Sequence, residues 1–388
     1  MKLPKYPKNF WLMCWALLAF MISFNLFLPE TNDIITEMGG GDLKGLIFLL
    51  FSLTAAISRP FSGKLTDTIG RKKVMYVGVI IGVTASVIYP ISGSVVAFLS
   101  LRLYHGFAAG FLPTGATALV TDIISKNGRG VAMGIWGTFI SAGFGVGQFF
   151  TLYVVESIGR VGLFLLAGFF CVLAGFFISQ IKETLPNPQK FKFSLLKVKF
   201  DDVFEPTVRP AAFVMFCSAV CTGVVFVTTP DISGFVNLDN KGWFFIFYMS
   251  STIVVRLFAS SLSDKIGRRK ALIIGLGFMM ISMLLIATAH EWIQYTIGAI
   301  VFGLSTGVSS PTVFAWVADL SPEHRRGVGA GTLFIALEFA IFCGALLTLA
   351  FYDSTLSTIP LLYSIGAGTS TIAIIYLIWH IRMKESKT

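Results

Sequence analysis

The chain is 388 residues long, 55% of it is hydrophobic, and only 13% is Asp, Glu, Lys or Arg. A soluble protein carries roughly a quarter of its residues as those four types, so there are too few charges here to solvate a globular exterior. The net charge of +10 is spread over many loops rather than gathered on one face, which excludes a nucleic-acid groove.

The apolar residues fall in blocks long enough to cross about 30 Å of hydrocarbon as helices, and twelve spans are predicted at about 10–29, 44–63, 74–92, 95–119, 131–155, 161–181, 210–229, 242–262, 271–289, 292–317, 327–351 and 358–381. Backbone in lipid must satisfy its own hydrogen bonds, which leaves helices or a closed barrel. Runs such as Ala271 to Ala289 lack the alternation of a barrel strand. The expected fold class is therefore an all-α membrane protein with twelve transmembrane helices. It divides into a six-helix bundle over 1–181, a linker over 182–209 and a second six-helix bundle over 210–388.

The first apolar run starts near Phe10. It is too long for a signal-peptide core and lacks a small-residue cleavage site, so it is expected to stay as span one. Glu30, Asp33 and Glu37 follow at i, i+3 and i+7 and share a face if the helix continues past Pro29. Glu30 and Asp33 are candidates for the outer vestibule and for proton coupling; Glu37 is expected to be solvated. Span two carries Arg59 and ends in the loop Gly63-Lys-Leu-Thr-Asp67-Thr-Ile-Gly70-Arg71-Lys72. A carboxylate at Asp67 can accept from the orphan N–H groups that open a neighbouring helix, where the macrodipole is positive. Gly63 permits close helix approach and Gly70 a tight reversal. The plainer alternative is a topogenic basic loop with an aspartate cap.

Span four holds Arg102 and His105, three apart and so on one face, beside Gly106 and Gly110. Charge inside a span is costly and marks function by default. Arg102 is a permanent cation acting on a nearby carboxylate's proton, and His105 is able to titrate near neutrality. The alternative for His105 is an interhelical hydrogen bond alone. Both are candidates for proton coupling and for the substrate cavity. Span five places Gly134, Thr138, Ser141, Gly145 and Gln148 at a spacing typical of close helix packing. Ser141 and Gln148 join the cavity candidates. Gly143-Phe-Gly145-Val-Gly147 resembles a phosphate-binding glycine run, but no strand precedes it.

Pro186, Pro188, Pro206 and Pro210 mark the linker, with an amphipathic piece near Phe193 to Phe204 expected on the membrane surface. Beyond it, Arg256 is a further intramembrane charge. Glu338 lies about eleven residues into span eleven, roughly 16 Å from its edge at 1.5 Å per residue. An unpaired carboxylate near the midplane is protonated or paired. Glu338 is thus the leading proton-carrier candidate and a further candidate for the substrate cavity, against a structural ion pair with Arg59 as the alternative. The cysteines Cys14, Cys171, Cys217, Cys221 and Cys343 all fall within spans, at no metal or disulfide spacing.

Most of the 30 Lys and Arg lie on the side of the termini, Lys2, Lys5 and Lys387 among them. Lys44, Arg160 and Lys241 face the other side, while Arg59, Arg102 and Arg256 lie within spans. The positive-inside rule puts both termini in the cytoplasm.

The two halves superpose when Arg59 is laid on Arg256. The same offset brings Asp67 to Asp264, Gly70 to Gly267, Arg71 to Arg268, Gly106 to Gly303, Asp122 to Asp319, Arg129 to Arg326, Gly130 to Gly327 and Gly147 to Gly344. Apolar matches are cheap in such a composition; Asp, Arg and Gly in one register across five spans are not. Parallel six-span repeats imply a pseudo-two-fold about the membrane normal, with a site at the midplane between them.

On these residues the sequence resembles the major facilitator superfamily along its whole length. Its loop between spans two and three matches the family's GxxxDxxGRR/K pattern, and the second copy, Ser260-Ser-Leu-Ser-Asp264-Lys-Ile-Gly267-Arg268-Arg269, lacks the first glycine. Ser58-Arg59-Pro60 and the Arg102/His105/Gly106 pattern are similar to the arabinose-efflux or drug-efflux permease branch. That branch has a Gly-Pro pair in span five where this chain has Gly147-Gln148. The resemblance implies that Gly63, Asp67, Gly70, Arg71, Asp264, Gly267 and Arg268 latch the halves on the cytoplasmic side and release during transport. With no Walker motif, transport draws on an ion gradient or runs downhill. The expected function is secondary active transport of a small organic solute by alternating access, as proton-coupled efflux. The alternatives are a proton-coupled importer of a sugar or organic acid, and a non-transporting receptor or lipid-handling protein on the same fold. No enzyme chemistry, cofactor, metal or nucleic acid is expected. The partners are the solute, protons and the lipid bilayer, with the monomer as the working unit.

Overall fold

The computed structural model describes residues 6–125, 128–197, 199, 203–238, 243–259, 261–352 and 355–385. Lys2, Lys5, Lys241, Ser260 and Lys387 lie outside the described residues, which contain no strand. Helix α1 is Lys8–Leu26; a 3-10 turn at Leu28–Glu30 leads into the short α2, Thr31–Glu37. Then come α3 (Lys44–Thr68), α4 (Arg71–Ile88), α5 (Val95–Ile123) and α6 (Arg129–Ser179). The second half brings α7 (Arg209–Phe235), α8 (Trp243–Ala259), α9 (Leu262–Ile266), α10 (Arg268–Ala287), α11 (Trp292–Leu320), α12 (Arg326–Phe351) and α13 (Ile359–Glu385).

Nine of these segments are long and apolar enough to cross a membrane, counted among the described residues. One of them, α6, has 51 residues, about twice what a bilayer needs. It is two spans joined at Gly159, whose φ of 70° and ψ of 176° are not helical. With α3 and α8 the twelve expected spans are all present as helices. Within the amphipathic piece expected near Phe193 to Phe204, Phe193–Leu196 forms a 3-10 turn and Val203 is helical.

Two compact units emerge. The first comprises Met1–Ile124, Phe139–Thr207 and Ser321–Ile335; the second comprises Ser125–Thr138, Val208–Leu320 and Ala336–Thr388. Lipid offers no hydrophobic reason for helices to pair, so small residues that let backbones meet carry the packing. In the first unit a Cβ on Gly106 would stand 2.4 Å from the Phe51 carbonyl oxygen, so α5 lies against α3 only because that position has none. Span five packs on span one in the same way, at Gly143 and Gly147 against the Leu18 and Ile22 carbonyls. Leu26, Phe27, Ile47, Tyr89, Phe98, Leu163 and Phe164 form an apolar cluster.

The second unit repeats this packing at the corresponding positions. A Cβ on Gly303 would stand 2.4 Å from the Tyr248 carbonyl oxygen, and one on Gly344 the same distance from that of Val220. Its core gathers Val224, Ile232, Phe244, Met283, Tyr295, Phe302 and Tyr363.

Candidate functional site

Asp67 occupies the last turn of α3, with its carboxylate aimed at the first turn of α12. Oδ1 accepts the Gly327 N–H at 2.8 Å and Oδ2 the Val328 N–H at 3.0 Å. Those donors are orphans at a helix N-terminus, where partial positive charge favours a carboxylate. The approach is tight: a Cβ on Gly63 would stand 3.1 Å from the Gly327 oxygen and 3.3 Å from the Val328 Cα. Arg71 lies fully buried one turn on. Its Nη1 is 3.3 Å from Asp67 and donates to the Thr66 carbonyl at 2.8 Å, while its Nε donates to Asp122 Oδ2 at 3.0 Å. Arg326 donates to the other Asp122 oxygen at 2.5 Å. Four alternating charges and a helix terminus thus close one buried network.

Gly70 makes the turn into α4 at φ 117°, a left-handed conformation that favours glycine. Glu183 fills the space beside it and accepts the N–H groups of Arg71 at 3.1 Å and Lys72 at 3.0 Å. The α4 N-terminus is therefore capped by a side chain from the linker.

The second unit contains the corresponding network. Asp264 accepts from the Gly130 N–H at 3.0 Å and the Val131 N–H at 3.2 Å, where α6 begins. Arg268 pairs with Asp264 at 2.5 Å and with Asp319 at 2.9 Å, and Arg129 reaches Asp319 at 2.6 Å. Gly267 turns at φ 89°. This copy is wetter: Asp264 is 18% exposed against 7% for Asp67, and Asp319 is 30% against 12% for Asp122. The first glycine's counterpart, Ser260, is outside the described residues.

Asp122, Asp319, Arg129 and Arg326 stand out in the sequence only as matches within the repeat, with no role attached. Their signal is the shared register of charged residues, and the Gly327/Gly130 match marks the receiving helix ends. Glu183 gives no signal, because its counterpart under the offset is His380.

Arg102 sits in the first unit, fully buried in α5. Its Nε donates to the Ile47 carbonyl at 3.2 Å, and its guanidinium lies 4.8 Å from the Phe51 ring centre and 6.0 Å from that of Phe27. Nη1 and Nη2 make no hydrogen bond of full geometry among the described residues, and the Tyr89 hydroxyl is the polar group that interacts with the guanidinium. His105, three residues on, is enclosed by Phe24, Phe27, Phe51 and Tyr89 with ring centres 5.7–6.0 Å away. His105 Nδ1 is likewise buried without such a partner. Here a full positive charge and two polar groups stand in an aromatic box whose counter-charge is not among the described hydrogen bonds.

Tyr89 also borders a cavity of ≈ 240 Å³ shared with Ile34, Glu37, Arg160 and Phe164. Arg160 there binds Glu37 through both Nη atoms at 2.5 and 2.9 Å, and Glu30 through Nε at 3.0 Å. Hydrogen bonds from Arg160 hold the Glu37 carboxyl below its ordinary range. Asp33 is exposed and stands outside this cluster. Because α1 stops at Leu26 and the helix restarts at Thr31, the three acids do not ride one continuous helix.

The other candidates have contacts of their own. Arg59 donates to Thr114 Oγ1 at 2.9 Å and to the Gly110 carbonyl at 3.3 Å, and covers the Phe334 ring at 4.1 Å. Arg256, in the second unit, donates to the Gly137 carbonyl and to Ser310 Oγ. Ser141 is buried, and half-buried Gln148 donates to Asn25 Oδ1 at 3.4 Å. Glu338 is half-buried in α12 within the second unit. Among the described residues no group of His, Cys, Asp and Glu could hold a metal ion.

Comparison with known proteins gives this geometry a context. The family described as Major Facilitator Superfamily matches residues 12–239 and again 211–388. The multi-drug resistance efflux pump PmrA of Streptococcus pneumoniae serotype 4 is 28% identical over 78% of this chain and 78% of its own. Among solved structures, the human organic anion transporter MFSD10 (TETRAN) superposes with a TM-score of 0.83 at 19% identity, over 95% of this chain and 98% of that one. The proton:xylose symporter XylE gives 0.80 at 14% identity, over 95% and 94%. At those identities the two structures carry the fold alone.

Proposed function

Because the chain belongs to the major facilitator superfamily, and so is a multi-pass membrane transporter, we propose that it exports a small organic solute by proton-coupled alternating access. Both termini face the cytoplasm in this reading, and the halves 1–181 and 210–388, joined by the linker, rock about a central site. The observation that carries a cycling carrier over a static receptor is the duplicated latch: a carboxylate seated on the N–H pair of a helix start, at Asp67 and again at Asp264. A receptor has no use for two releasable contacts built alike. Each bond is charge-assisted but replaceable by water, which suits a contact that must break once per cycle. Efflux as the direction is supported by the likeness to the PmrA pump.

In this proposal Arg102 supplies a fixed positive charge in the first unit, and His105 lies beside it. Glu338 carries the proton, because a carboxyl near the midplane is tolerated neutral or paired and exchanges one state for the other. The test is purified protein in proteoliposomes with a panel of drug-like solutes. Glu338→Gln is expected to lose proton-driven movement while keeping solute counterflow. Full driven transport by that variant would remove Glu338 from the mechanism.

A further inference from the structure

The linker carries a feature that the latches leave unexplained. Residues 189–199 read Gln-Lys-Phe-Lys-Phe-Ser-Leu-Leu-Lys-Val-Lys, with four lysines and no acid. One side of the segment is tied down. The Gln189 N–H donates to the Thr68 carbonyl at 2.8 Å, Lys64 Nζ donates to the Lys197 carbonyl at 2.7 Å, and Leu195 packs on Leu65, Ile69 and Val74. The other side is open. Phe193 is 82% exposed and Phe191 47%, their rings 5.6 Å apart edge to face, with Leu196 also exposed. Lys190, Lys192, Lys197 and Lys199 are exposed around them.

An aromatic pair this open gains nothing from the fold, yet Leu195 is tucked in beside it, so the segment sorts its apolar residues onto two surfaces. Aromatic rings among lysines match a bilayer interface, where rings enter the headgroup level and ammonium groups reach anionic lipid. We propose that residues 189–199 dock on anionic phospholipid of the inner leaflet, with Phe191 and Phe193 entering the interface and the four lysines binding headgroups. Charge complementarity selects lipid over a protein partner. The tie points at Lys64 and Thr68 flank Asp67, so docking also holds the chain that bears the latch. The choice of leaflet rests on the cytoplasmic placement of the linker proposed above.

The experiment uses the full chain in nanodiscs, whose two faces carry the same lipid, so its outcome does not depend on which way the linker faces. A spin label is placed at exposed Ser194 (Ser194→Cys), with the unsubstituted protein as background for the native cysteines, all buried or half-buried. Its accessibility to a water-soluble nickel complex is compared in phosphatidylcholine alone and with phosphatidylglycerol added. A several-fold fall on adding phosphatidylglycerol is expected. That fall should disappear when the four lysines are changed to Gln, and again with Phe191→Ser and Phe193→Ser. Equal nickel access in both lipids would overturn the proposal and leave the surface to a protein partner. A label equally hidden in detergent would overturn it too. Orientation is read separately, by impermeant labelling of Ser194→Cys in intact cells.

Discussion

Burying a guanidinium costs several kcal/mol even after the surroundings relax, and the cost is recovered only where its nitrogens are paired. Arg102 is fully buried, with the Tyr89 hydroxyl beside its guanidinium and no carboxylate in any described ion pair with it. Its cation–π contacts, worth about 2 kcal/mol when desolvated, offset only part of that. A residue kept there for stability alone would be better replaced by an apolar one. Arg102→Met is therefore expected to hold or raise thermal stability, by about 1–3 kcal/mol, while driven transport is lost. A melt that falls with the substitution would make Arg102 structural. Glu205 is the opposite case, a buried acid fully satisfied. Burial alone would raise its pKa, but hydrogen bonds from Arg325 and Thr207 outweigh it and hold the carboxyl below the ordinary range. A depressed folded pKa means stability present at neutral pH and lost as pH falls through that lower value. Glu205→Gln should then cost about 1.5–3 kcal/mol near pH 7, with the gap to the unsubstituted protein closing below the usual carboxylate range. A gap independent of pH would contradict the assignment. The sequence marks Arg102 because charge within a span is rare, but not its box, since 38 phenylalanines make any aromatic neighbour unremarkable. Glu205 is illegible there: its partner Arg325 is 120 residues away.

Between elements, the two proposed latches are unequal by burial. Electrostatic contacts strengthen as water is excluded, and the Asp67 network is drier than the Asp264 one. Asp67→Asn should slow cycling more than Asp264→Asn, with solute affinity little changed in either. A defect confined to affinity would argue against a latch. Gly63→Ala tests the same contact sterically, because the added methyl must push Gly327 or Val328 of α12 by a few tenths of an ångström. Slower turnover with intact folding is expected; an unchanged rate would show that the approach is not limiting. Asp67, Gly63 and Gly70 are legible in the sequence, because one local motif holds all three. The pairs of Asp122 with Arg71 and Arg326 span 51 and 204 residues and surface in the sequence only as matches between halves. The Arg160 clamp on Glu30 and Glu37 has no such echo, since it joins spans six and one on an unduplicated turn.

At the scale of the whole molecule, composition and block length specify twelve helices, because lipid leaves the backbone only helices or a closed barrel and the apolar runs lack a barrel's alternation. What they miss is local: spans five and six meet at Gly159, whose φ of 70° and ψ of 176° turn the chain with no loop between them, so the boundary is a glycine conformation rather than a gap. Duplication separates two kinds of residue. Those that agree between halves, Asp67/Asp264, Arg71/Arg268 and Asp122/Asp319, build the same carboxylate-to-helix network twice. Those that disagree, Arg102 against Ala299, His105 against Phe302 and Ser141 against Glu338, are where coupling is proposed to reside. The most direct test of that proposal is lumenal pH in everted membrane vesicles acidified inside, followed as solute is added. Proton-coupled export predicts that solute enters while protons leave, so the lumen alkalinises, and that Glu338→Gln abolishes the alkalinisation. Solute leaving the vesicles together with protons, or no proton movement during transport, would contradict it.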